Sequence, residues 1–75
     1  MDLSKILTFL AEAKSQPSRK FLVVTEKAVY SPIFLVGWNF SSYVGVSDDF
    51  GQLIVRGETT NLAIAFSQVK DMRFL

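Results

Sequence analysis

Cysteine and histidine are both absent from this 75-residue chain. Without cysteine there is no disulfide, and without either residue there is no thiolate or imidazole to hold a structural metal. The same absences remove the cysteine nucleophile and the side chain that most often moves protons near neutral pH. The four glycines are isolated, so no glycine-rich loop can cradle a phosphate. The net charge is only +1, which gives no overall basic field for nucleic acid and leaves room for a local basic face alone. No apolar run approaches the ~18 residues needed to span a bilayer.

The carboxylates left to do chemistry are Asp2, Glu12, Glu26, Asp48, Asp49, Glu58 and Asp71. Asp48 and Asp49 are adjacent, so in extended chain they point apart, and before Gly51 they read as a turn. Nothing has the alternating oxygen ligands of a calcium loop. The expectation is a protein that is not an enzyme and carries no catalytic residue, no metal and no cofactor.

What the chain has in surplus is apolar sequence: 49% hydrophobic against 20% charged. Its size makes one domain over residues 1–75, with 1–16 as helix and connector and 19–75 as a β meander. A domain this small buries only about 60% of its unfolded surface, and a single core of this size rarely supplies more than roughly 3–5 kcal/mol unaided. With disulfides and His/Cys metal sites excluded, oligomerisation is the remaining aid, and a homo-oligomer is expected.

The sharpest local signal is Ile33-Phe34-Leu35-Val36-Gly37-Trp38-Asn39-Phe40, in which six of eight side chains are apolar and the first four run unbroken. A strand with one wet face alternates; this one must be covered on both faces, by a partner or by a tightly closed barrel. Ile33, Phe34, Leu35, Val36 and Trp38 are therefore candidate protein-interface residues.

Residues 3–14 have helical spacing. Leu3, Ile6, Leu7 and Leu10 form one apolar stripe, Asp2 can cap the start, Lys14 suits the negative pole and Pro17 ends the helix. The stripe can cover an open end of the fold or dock a partner. A membrane surface is the weakest of its uses, because the polar face lacks the Lys/Arg enrichment such helices carry. Ala11-Glu12-Ala13 has the form of a signal-peptide cleavage site. The apolar run before it is short and contains Thr8, and Asp2 stands where a basic leader belongs. A cytoplasmic protein is expected.

Beyond Arg19 the pattern turns to β. Phe21–Thr25, 28–30, 33–40, 43–47 and 52–56 read as strands, with Pro32 marking an edge or a bend. Leu62, Ile64 and Phe66 alternate with alanines, residues 66–69 read as a tight one-turn corner, and 70–75 as a last short strand. The class is α+β: an amphipathic helix, then about five short antiparallel strands making a small barrel or a strongly bent sheet. In element order this resembles SH3-like barrels, and the leading helix makes it similar to Sm-like RNA-binding barrels over most of the chain. Arg56-Gly57 matches the Arg-Gly of the second Sm motif, whereas Ala28, Val29, Ser41 and Ser42 depart from the first.

The resemblance implies single-stranded RNA or DNA as a ligand. Arg19, Lys20, Arg56, Lys70 and Arg73 would meet phosphates and Trp38 or Tyr43 would stack on bases. Against this, the cations also suit a solvated face and the aromatics a packed interface. The residues thus point first to a self-associating small β-barrel module that binds another protein, then to nucleic-acid binding. A third possibility is a small regulator that inhibits a host enzyme by occupying it.

Overall fold

The computed structural model describes residues 1–40 and 51–75. The expected strand at 43–47, Tyr43 and the acidic pair Asp48-Asp49 lie outside the described residues. Helix α1 spans Leu3–Ser15. Asp2 caps it: its carboxylate accepts from the Lys5 N–H at 2.9 Å and from the Ser4 hydroxyl at 3.1 Å. These donors favour the charged form and hold the Asp2 carboxyl below its ordinary value, the backbone N–H of Lys5 contributing most.

Five strands follow: β1 (Phe21–Thr25), β2 (Val29–Phe40), β3 (Gly51–Arg56), β4 (Asn61–Ala65) and β5 (Val69–Phe74), with a one-turn 3-10 helix at Phe66–Gln68 as the corner before β5. They form one antiparallel sheet in the order β4-β3-β2-β1-β5. The sheet is open, since β4 and β5 stand at opposite edges. Of the two expected architectures, the bent sheet is the one found and the closed barrel is not.

The segments 28–30 and 33–40, expected as separate strands, are one strand of 12 residues. Its first part pairs with β1 and its second with β3, and each pairing has an irregularity. The first falls between Tyr30 and Ile33, where Pro32 cannot donate to a ladder. The second falls at Val36, between Leu35 and Gly37. Bulges bend a strand and raise its twist, so β2 serves two half-sheets rather than one flat one.

The core lies between the inner face of this sheet and α1. Ile6 and Leu10 meet Phe21, Val23, Ile33, Leu53, Val55, Ile64, Phe66, Val69 and Met72. Phe9, which falls off the main helix stripe, stacks on Phe74 with ring centres 4.3 Å apart and meets Phe21 edge-on at 5.4 Å. The helix is thus the missing cover for the inner face of the sheet, and its amphipathic stripe is consumed in that task.

Candidate functional site

A bulged residue has no cross-strand partner, and Val36 is that residue on β2. Its side chain is 54% exposed. It lines a groove of about 320 Å³ between β2 and the C-terminal end of α1, with Leu35, Gly37 and Trp38 on one wall and Ala13, Lys14 and Pro17 on the other. A Cβ added at Gly37 would meet nothing within 4 Å, so the floor is open at that point. The Lys14 ammonium lies 5.8 Å from the centre of the Trp38 ring, within cation–π range. At the end of β2, Phe40 is 56% exposed and touches Phe66 with ring centres 6.2 Å apart.

The expected interface residues divide between core and surface. Ile6, Leu10 and Ile33 are buried within their own chain. Leu3, Leu7, Leu35 and Trp38 are half-buried against that core. Phe34 is half-buried on the outer face of the sheet, opposite Arg56, whose guanidinium stands 5.6 Å from its ring centre. Only Val36 among the expected set is exposed.

The expected cations occupy separate places. Arg56 is on β3, whereas Lys70 and Arg73 are on β5, three strands away in the sheet order. Lys70 pairs with Glu26 at 3.0 Å and Arg73 with Asp71 at 2.7 Å. Arg19 bonds the Gln16 side chain at 3.2 Å and covers the Phe74 ring at 4.3 Å. Lys20 is exposed before β1, and its carbonyl accepts from Leu75. Glu26, Lys70, Thr25, Tyr30 and Gln68 line a smaller cleft of about 150 Å³.

Sequence reasoning missed Lys14 and Pro17 as groove walls, and Val29, Phe40 and Leu62 as exposed apolar side chains. Pro17 carried a visible signal as a helix stop; the bulge that opens the groove carried none. Among the described residues no three acidic side chains gather in a way that could hold a metal ion, and no helix is long and apolar enough to cross a membrane. No protein-family model, no curated protein and no solved structure matches the chain.

Proposed function

We propose that this chain is a non-enzymatic, self-associating β-sheet module whose ligand is another protein, acting in the cytoplasm. The observation that carries the reading is the second half of β2. There Val36 and Phe40 are more than half exposed at 54% and 56%, beside the half-buried Leu35 and Trp38. Burial of such side chains contributes about 25 cal/mol per Å² removed from water, and a lone domain of this size has little stability to spare. Multi-angle light scattering tests self-association directly. A mass above 8.4 kDa that rises with concentration is expected; a monodisperse monomer at high micromolar concentration refutes it.

A second reading, single-stranded RNA or DNA binding, draws support from the helix-first order with its one-turn corner before the last strand, the order of Sm-like barrels. Lys14 over Trp38 and Arg56 over Phe34 offer cations beside aromatic rings. On this reading short oligonucleotides bind at low salt and release steeply as salt rises. Fluorescence anisotropy that stays flat at low salt removes it.

A further inference from the structure

The two edges of the sheet are built differently. β5 carries Lys70, Asp71 and Arg73, its pairing with β1 is interrupted opposite Val24 and Thr25, and the Val69 carbonyl is taken by the Met1 amino group at 3.2 Å. Charge and irregularity are the usual ways of keeping an edge from recruiting another strand. β4 has neither. Its five residues, Asn61-Leu62-Ala63-Ile64-Ala65, carry no charge and no proline, and they pair with β3 in unbroken register.

The register fixes which backbone groups of β4 face outward. The Gly57 N–H donates to the Thr60 carbonyl at 2.9 Å. Bonded and non-bonded pairs alternate along an antiparallel ladder, so Leu62 and Ile64 spend their N–H and C=O groups on β3. Asn61, Ala63 and Ala65 direct theirs to the opposite side, where no described strand pairs with β4.

We infer that the open edge of β4 pairs antiparallel with the same edge of a second copy of this chain, about a two-fold axis at Ala63. This rests on the self-association reading and puts the contact between copies at the sheet edge, leaving Val36 and Phe40 of β2 for the protein ligand. The occupant follows from the edge itself. Centred on Ala63, the strand overlaps its copy over its full length, placing Ala63 against Ala63, Asn61 against Ala65 and Leu62 against Ile64. The three outward residues then bond one another. Leu62 and Ile64 fall at the non-bonded positions, where side chains approach most closely. Both lie on the inner face, and Leu62, 38% exposed in the single chain, is covered. No like charges oppose each other, and an isologous contact closes at two copies. Pairing β4 with β5 of another copy would set it against a charged, irregular edge and leave both ends free to propagate.

The test uses Ala63→Pro, Ala63→Lys and Ala63→Glu in the full chain, followed by sedimentation velocity over a concentration series. Proline at position 63 removes an N–H that β3 does not use, so the fold remains while dimerisation weakens about tenfold or more. The lysine and glutamate variants leave the backbone unchanged. Each alone weakens the dimer about threefold, and an equimolar mixture recovers it, because only a two-fold axis at this residue sets position 63 against itself. A wild-type monomer overturns both the edge assignment and the self-association reading. A wild-type dimer that all three variants retain overturns the edge assignment alone. So does a closed assembly of more than two copies, or a mixture with no recovery.

Discussion

On the β1–β5 side of the sheet, every charge on the outer strand meets an opposite charge in the same chain: Lys70 with Glu26, and Arg73 with Asp71. Phe9, Phe21 and Phe74 form a ring cluster beneath α1, with Arg19 covering Phe74. Among its described residues, Val29 is the one large exposed apolar side chain apart from the chain ends. On the β3–β4 side, the edge strand has no charge, and Val36, Phe40 and Leu62 are all exposed. One half is finished by its own chain, whereas the other, among the described residues, leaves an uncharged edge strand and exposed apolar side chains. Among the described residues there is a single α-helix, which begins beside β5, where Met1 meets Val69, and ends at the groove on β2. Surplus apolar surface therefore accumulates on the far side.

The comparison breaks most sharply in the core that the two halves share. Phe21 and Leu53 are both fully buried, one in each half. Phe21→Ala should cost about 3–5 kcal/mol and Leu53→Ala about 2–5 kcal/mol, enough to unfold much of a domain with this margin. Because β2 belongs to both halves, each variant should lose the two together. Trp38, the single tryptophan, reports on the second half by fluorescence, while far-UV circular dichroism reports on the whole. Coincident denaturation curves are expected. Separate midpoints would show that the halves are independent units.

Gly51 comes next in size. Its φ is +144°, and a Cβ there would run into the Asn39 carbonyl and the Phe40 backbone. Gly51→Ala should cost about 1–3 kcal/mol as backbone strain. Its effect should concentrate where β2 and β3 begin to pair, at Phe40↔Gly51 and Asn39↔Gln52. Faster amide exchange at those positions, with β1 and β5 protected as before, is the expected pattern. Uniform acceleration would mean that this end of the ladder holds the whole sheet.

The surfaces separate more finely. Leu62→Asp and Val29→Asp each replace an exposed aliphatic side chain and should shift monomer stability by about 1 kcal/mol or less. Only the first should reduce light-scattering mass, because only Leu62 meets a second copy across the proposed β4 edge. Equal loss from both variants would erase the distinction between the halves.

How much of this was readable beforehand depended on whether a feature is local. The cap at Asp2, the stripe through Leu3, Ile6, Leu7 and Leu10, the stop at Pro17 and the corner at 66–69 are written within one or two turns of chain, and all of them are found. Periodicity also marked the unbroken run 33–40 as unusual. It could not show that the run continues backward through Pro32 into one long strand, because a bulge relieves the missing N–H and depends on what β1 offers. Nor could it divide the run: Ile33 enters the core while Val36 is pushed out, although both are β-branched and apolar. That split follows from the bulge that leaves Val36 without a cross-strand partner between Leu35 and Gly37, a property of the sheet. The cations show the same boundary. Their identities leave room for a local basic face, but strand order sets Arg56 three strands from Lys70 and Arg73.

The smallest effect concerns the helix cap that anchors the finished half. The Asp2 carboxyl is held below its ordinary value of 3.8 by the Lys5 N–H and the Ser4 hydroxyl. A folded-state value lower than the unfolded one contributes stability that is fully present above the unfolded value and is lost as pH falls through the folded one. Asn caps about as well as Asp through its side-chain oxygen but does not titrate there. Asp2→Asn should therefore melt slightly below the wild type at neutral pH, where it lacks the carboxylate's stronger bond and its favourable interaction with the helix dipole. Below pH 3.8 the two melting temperatures should converge, because the other carboxylates are common to both chains and cancel in the difference. A gap that stays constant into strong acid would mean that the cap acts through shape alone, and that the charge on Asp2 has no part in holding α1 over β5.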